Sequence, residues 1–178
     1  MITLCTGTRD PDDQWRAHPD NGSAEAWRDL IAAMETALAC AERWNIDLGI
    51  EPELANVVSS AGKARALIRE LNNPRLKIVL DPANLFERAT LREQHRVVSS
   101  AIDLIGDRIA MAHAKDRAAD GSFIAAGKGV VDFGHFATCL KAAGFDGPLV
   151  THGLTASESL GVAAFLRQTL TAAGVDVA

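Results

Sequence analysis

Short apolar runs alternate with amphipathic helical patterns along this chain, and this alternation restricts the fold more than any other feature. Five runs have strand character, and they cover residues 1–6, 47–51, 77–81, 108–113 and 149–151. Each is followed by a segment in which apolar residues recur every three or four positions, which is typical of a helix with one buried face. Alternation of strands and helices indicates parallel βαβ units. The sequence therefore predicts a single α/β domain over residues 1–178.

Capping residues mark where the helices begin. Ser23, Ser59 or Ser60, Asp132 and Ser157 each precede a helical pattern, and a fifth helix runs from about residue 90 to residue 105. The polar segment 7–23 is long for a loop, and long loops in compact domains are often functional. It carries Trp15 and His18, which favours a lid whose two rings bind substrate, with a flexible excursion anchored by Trp15 as the alternative. Segment 121–131 is predicted to be a glycine-rich loop, and its GKG is too short to indicate a phosphate loop.

Four of the predicted strands end in a side chain that can bind a metal. These residues are Glu51, Asp81, His113 and His152, and they lie 30, 32 and 39 residues apart. Since a βαβ unit takes about 30 residues or more, the four occupy equivalent places on successive repeats. Parallel strands bring such residues to one edge of the sheet. Two carboxylates and two imidazoles suit a divalent metal. Each residue alone also has a plain structural interpretation, such as a surface acid for Glu51, a turn acid for Asp81 and a core histidine for His113.

Three further polar residues lie close to these strand ends. Glu53 follows Glu51 by two residues and faces the same way in extended chain, so it is a candidate base or a partner for a loop arginine. Asn84 is a candidate to bind a substrate hydroxyl or to cap the next helix. Lys115 is a candidate to bind an anion or an enolate oxygen, and the alternative is an ordinary surface lysine.

The composition of the chain indicates which binding partners and which cellular compartment to expect. The net charge is −5 and no basic run is present, which argues against nucleic acid as a partner. No apolar stretch approaches the length of a membrane span, and the amino terminus lacks the pattern of a signal peptide. The three cysteines are widely spaced and form no CxxC pair, which is typical of reduced thiols. We therefore expect a cytoplasmic protein with a small-molecule substrate.

The motifs GIEPE, LDPANL, HAKD, GKGVVDF and GFDGPLV follow one another along the chain. In this order and spacing they resemble the sugar phosphate isomerase/epimerase family, the xylose-isomerase-like TIM barrels, over essentially the whole chain. The resemblance implies a divalent metal, often manganese, magnesium, zinc or cobalt. It also implies that Glu51, Asp81 and His113 are metal ligands.

The sequence departs from the family pattern at two points. The fourth ligand of the family is a glutamate at the end of the last strand, where this chain has His152. In family isomerases that glutamate and the one matching Glu51 move the proton, so His152, Glu53 or Glu158 would have to replace it here. The family barrel has eight strands, whereas about five are predicted. We expect a partial barrel that either derives from a longer chain or is closed by a second copy in a homodimer.

The resemblance and the strand-end residues together give one main hypothesis and two alternatives. The main hypothesis is a metal-dependent isomerase or epimerase of a sugar, ketose or related polyol, with Glu51 and His152 as its catalytic pair. The first alternative is an inactive or truncated barrel fragment that self-associates. A metal-dependent hydrolase or endonuclease is less favoured, because it would need further metal ligands and a basic groove.

Overall fold

The computed structural model describes residues 1–176. Six strands are present: β1 Ile2–Leu4, β2 Leu48–Ile50, β3 Leu76–Leu80, β4 Ile109–Arg117, β5 Phe123–Ala125 and β6 Leu149–Thr151. Five helices alternate with them: α1 Ala24–Arg43, α2 Ala61–Leu71, α3 Leu91–Ile105, α4 Phe133–Ala142 and α5 Ser159–Ala172. The predicted α/β class is confirmed.

The parallel strands form a curled half-barrel. Their order is β1–β2–β3–β4–β6, and each of these neighbouring pairs is parallel. The helices cover the outside of this sheet, because their apolar stripes pack on it through residues such as Leu30, Leu67 and Ile102. Parallel strands covered in this way carry unbroken apolar runs, which explains why Ile78, Val79 and Leu80 are all fully buried.

Helix starts follow the expected capping chemistry with one exception. The side chains of Ser23, Ser60 and Asp132 each accept a backbone hydrogen bond at the start of a helix, as predicted. The prediction for Ser157 was wrong, because Ser157 lies inside a short 3-10 turn, Ala156–Glu158, that precedes α5. Thr155 begins this turn and forms a capping box with Glu158, which satisfies two backbone N–H groups at once.

The predicted strand 108–113 and the predicted loop 121–131 both need correction. Strand β4 continues to Arg117, and its last residues pair antiparallel with β5, which lies inside the segment predicted to be a loop. The extension is polar, with Lys115, Asp116 and Arg117 in sequence, so the apolar pattern ended before the strand did. The resulting hairpin projects from the edge of the sheet where the parallel strands end.

The two ends of the parallel series are incompletely covered. Ile2 of β1 is 51% exposed and Val150 of β6 is 38% exposed. An apolar cleft of about 380 Å³ runs between β1 and α1, and another of about 510 Å³ lies beside β6 and α5. Within residues 1–176, no helix combines the length and the apolar character that crossing a bilayer requires.

Candidate metal centre

The four strand-end residues converge at one point on the carboxyl side of the sheet. Glu51, Asp81, His113 and His152 each offer one ligand atom, and these atoms all lie within 4.8 Å of one another. Glu51, Asp81 and His152 directly follow β2, β3 and β6, whereas His113 lies within β4 because that strand continues into the hairpin. Pairing of Ala112 with Leu80 places His113 level with Asp81 at the end of β3. On the other side His113 pairs with Val150, two residues before His152.

The contacts inside this cluster pair each imidazole with a carboxylate. His113 Nδ1 lies 3.2 Å from Glu51 Oε2, and His152 Nε2 lies 3.4 Å from Asp81 Oδ2. The two imidazole rings meet edge to face with their centroids 4.6 Å apart. Glu51 and Asp81 are buried, and Asp81 is only 1% exposed.

Three ligating atoms of the cluster are buried without a hydrogen-bond partner among the described residues. They are Asp81 Oδ2, His113 Nδ1 and His152 Nε2. Buried polar atoms almost always have a partner, so a group of orphaned atoms facing one another calls for an explanation. A divalent cation supplies one, because carboxylate oxygens and imidazole nitrogens are its common ligands. The donor set of this chain therefore fits such an ion.

Both carboxylates are oriented by a hydrogen bond to their other oxygen. Asn84 donates from Nδ2 to Glu51 Oε1 at 2.7 Å, and the Ala83 backbone N–H donates to Asp81 Oδ1 at 2.9 Å. The second oxygen of each group is thereby turned toward the centre. Partners behind the ligands that fix their orientation are a general feature of metal sites. Thr90 caps α3, so the idea that Asn84 caps that helix was wrong, while its contact with a substrate hydroxyl stays a prediction.

Glu53 and Lys115 lie at the edge of the cluster. Burial removes water from the Glu53 carboxylate and raises its pKa, and the nearby negative charge of Glu51 acts in the same direction. Such a carboxylate holds a proton more readily than an exposed one. Lys115 Nζ lies 3.5 Å from Asp81 Oδ2 and 3.9 Å from the ring centroid of Phe123.

The loop between β1 and α1 is held down by a residue that sequence reasoning missed. Asn21 is buried, donates from Nδ2 to the Ala55 carbonyl at 2.8 Å, and accepts from the Arg9 backbone N–H. Trp15 is 57% exposed, and His18 accepts a hydrogen bond from the Asp20 backbone N–H through Nδ1. Among the described contacts neither ring hydrogen-bonds to the four cluster residues, so their role in substrate binding stays a prediction.

Asp116 is the second residue that sequence reasoning missed. It is 1% exposed, and its carboxylate accepts backbone hydrogen bonds from Arg117, Gly127, Gly129 and Val131, all between 2.8 and 2.9 Å. A Cβ atom at Gly129 would lie 2.0 Å from the Arg117 carbonyl oxygen. The GKG segment therefore wraps around a buried carboxylate. The acidic residue directly after HAK was the sequence feature that could have predicted this arrangement.

Comparisons with known proteins agree with this geometry. A sequence profile described as a xylose isomerase-like TIM barrel matches residues 1–169. The chain belongs to the xylose isomerase-like TIM barrel family. The resemblance read from the motifs is thus confirmed. A search of functionally curated proteins gives no match.

Solved structures with the same fold include several sugar epimerases. A D-tagatose 3-epimerase-like protein superposes with a TM-score of 0.75 at 15% identity, and an L-ribulose 3-epimerase with 0.72 at 17%. A 3-keto-D-glucoside 4-epimerase from E. coli gives 0.65 at 19%. In each case 97% of this chain aligns with 62% of the other. The chain therefore spans less than two thirds of these barrels, and identities this low show a shared fold only.

This xylose isomerase-like barrel has His152 at the end of its last strand, where the family has a glutamate, and the histidine lies within the cluster. His152 directs Nε2 toward Asp81, where it belongs to the same cluster as the other three residues. Glu158 lies in other contacts, because it forms an ion pair with Lys128 and accepts a hydrogen bond from the Thr155 backbone N–H. The Lys128 ammonium and the Thr155 donors lower the pKa of Glu158 to about 2. A carboxylate held so firmly in its ionised form is poorly suited to replace the family glutamate as a proton carrier.

Proposed function

We propose that this chain carries the metal centre of an isomerase or epimerase that acts on a sugar, a ketose or a related polyol. The observation that carries the proposal is the cluster of three orphaned ligating atoms among Glu51, Asp81, His113 and His152. The fold shared with sugar epimerases supports the same chemistry. Since the chain spans about 62% of those proteins, the proposal concerns the site that this chain contributes.

The four clustered residues would hold a divalent cation. Manganese, magnesium, zinc and cobalt are the candidates, and two imidazoles are more usual around transition metals than around magnesium. When bound, such an ion polarises a carbonyl and an adjacent hydroxyl as a Lewis acid. Asn84 and the Ala83 N–H would keep the two carboxylates pointed at the centre.

The proton next to the substrate carbonyl would be moved by Glu51 and His152. These residues end β2 and β6, which are separated in the sheet by β3 and β4, so they approach the centre from different sides. An epimerase removes the proton from one face of the carbon and returns it to the other, which requires two groups placed in this way. Glu53, whose pKa burial raises, is a further proton carrier beside Glu51.

Solvent isotope exchange tests this proposal directly. Protein loaded with manganese or cobalt is incubated with candidate ketoses in deuterated water, and carbon-bound deuterium is measured by mass spectrometry. We expect incorporation at the carbon next to the carbonyl, loss of it after removal of the metal, and loss of it in Glu51→Gln. Absence of carbon-bound deuterium from every ketose, with metal demonstrably bound, would contradict the proposal.

A self-associating, non-catalytic half-barrel is the second candidate function. It is favoured by the exposed end strands and by the apolar clefts of about 380 and 510 Å³ beside them. Unpaired strand edges are templates for association. This candidate predicts a homodimer in size-exclusion chromatography with light scattering and no isotope exchange. A monomer that performs the exchange would eliminate it.

A further inference from the structure

Lys115 is a buried cation whose ammonium has no hydrogen bond among the described contacts. Its side chain is 10% exposed, and the ammonium lies at the rim of the candidate metal centre. An ammonium has three donors and no acceptor, and the Lys115 nitrogen is not among the fully buried polar atoms of the described residues, so it stays open to an acceptor from outside. Lys115 can therefore donate hydrogen bonds to an acceptor that enters the site.

Asp81 does not serve as a dedicated counter-ion for Lys115. The Asp81 Oδ2 atom lies 3.5 Å from Lys115 Nζ. This distance exceeds the usual length of a charge-assisted hydrogen bond, which is about 2.7–2.9 Å. The same oxygen faces His152 Nε2 at 3.4 Å and belongs to the metal-binding cluster. A cation bound by Asp81 would therefore compete with Lys115 for that oxygen.

A second buried cation increases the positive charge beside Lys115. The guanidinium of Arg117 lies 3.7 Å from the centroid of the Phe123 ring, which Lys115 also contacts. Arg117 donates to the carbonyls of Ala83 and Gly121, which are neutral, and it forms no salt bridge with a described residue. Burial lowers the pKa of Arg117, and the carboxylates of Glu87, Asp81 and Glu53 offset this effect only in part.

We infer that the substrate carries a carboxylate or a phosphate that binds the Lys115 ammonium, so that the site takes an anionic ketose rather than a neutral one. The inference rests on the proposed function for the choice of a ketose. Its physical basis is separate, because an anion supplies the acceptors that Lys115 lacks when the Asp81 oxygen is shared with the metal-binding cluster.

Phe123 has a positioning role in this arrangement. Its ring is 50% exposed and contacts both cations, so it shields the ammonium on one side through a cation–π contact and leaves the cluster side open. The antiparallel pairing of β5 with β4, with Phe123 opposite Arg117, fixes the ring in this place.

Three ketoses that differ only at the terminal carbon test the inference. D-Fructose, D-fructose 6-phosphate and D-fructuronate are titrated calorimetrically into the manganese-loaded chain. We expect at least one of the two anionic ketoses to bind about tenfold or more tightly than D-fructose. That advantage should disappear in Lys115→Met, be largely retained in Lys115→Arg, and shrink in Phe123→Leu. The phosphate and the uronate arms identify which anion the site takes.

Matched controls make each outcome decisive. Lys141→Met removes the same charge from the last turn of α4, where Lys141 binds the Gly174 carbonyl, and should keep the anion preference. Circular dichroism and manganese content show whether Lys115→Met is folded and loaded, and Lys115→Gln serves if it is not. Equal affinities for all three ketoses, or an anion preference that survives removal of the Lys115 charge, would overturn the inference. Isotope exchange into D-fructose without any anion preference would overturn it while leaving the proposed function intact.

Discussion

The Asn84 side-chain amide and the Glu51 carboxylate form a 2.7 Å hydrogen bond in the interior of the half-barrel. The bond uses Glu51 Oε1, and Oε2 is left facing His113 Nδ1 at 3.2 Å. One amide thus determines which oxygen of Glu51 reaches the centre. Asn84 lies in the 3-10 turn that follows Asp81, so the segment that carries one candidate ligand also orients another.

Removing this amide should weaken metal binding without unfolding the chain. We expect Asn84→Ala to lower the affinity for manganese or zinc by about 10- to 100-fold, because Glu51 loses the partner that orients it. The measurement is a metal titration followed by calorimetry. Asn73→Ala is the matched control, since it removes an amide that donates to Glu42 on the surface. Equal metal affinity in the Asn84 and Asn73 variants would contradict this role.

Replacing His152 by glutamate should change the preferred metal. His152→Glu restores the carboxylate typical of the family at this strand end, and a third carboxylate favours harder cations such as manganese or magnesium over zinc. His152→Ala removes a candidate ligand and should reduce the content of every metal. Elemental analysis of proteins loaded from equimolar metal mixtures measures both effects. Unchanged metal content in both variants would exclude His152 from the centre.

The Asp116 carboxylate should contribute substantially to stability. In Asp116→Asn the charge is lost and an amide NH₂ replaces one oxygen, so some of the four backbone N–H groups lose their acceptor. We expect the free energy of unfolding to fall by about 3 kcal/mol, measured by urea denaturation. Asp120→Asn should change it far less, because Asp120 is exposed and caps only Ser122. A similar loss in both variants would argue against the role assigned to Asp116.

Asp132 should give stability a dependence on acidic pH. Burial alone would raise the pKa of this carboxyl, but hydrogen bonds from the His135 backbone N–H and the His95 ring outweigh it, and the pKa is lowered. A carboxyl with a lower pKa in the folded state stabilises the fold above its unfolded value of about 3.9, and this contribution is lost as the pH falls through the folded value.

The comparison of wild type with Asp132→Asn isolates this contribution, because asparagine also caps helices well. We expect the difference in unfolding free energy between the two proteins to be largest near about pH 5 and to shrink toward about pH 2.5. Denaturant titrations at several pH values measure it. A difference that stays constant over this interval would show that the charge of Asp132 contributes nothing.

The sequence by itself determined the alternation of strands and helices, the helix caps at Ser23 and Asp132, and the strand ends that carry Glu51, Asp81 and His152. It left the cap of α2 open between Ser59 and Ser60, and the structure shows Ser60. These features depend on apolar periodicity and on local hydrogen bonding, which are visible within a few residues. Whether the four candidate ligands bind a metal stays a prediction.

Only the tertiary structure decided how the side chains around that centre are oriented. The bond between Asn84 and Glu51, the placement of Lys115 against Phe123, and the wrapping of residues 127–131 around Asp116 each join segments that are distant or unpatterned in sequence. They depend on strand register, on the curvature of the sheet and on the β4–β5 hairpin. Polar strand extensions such as residues 115–117 carry no apolar period, so the hairpin that positions Lys115 could be recognised only once the strands were paired.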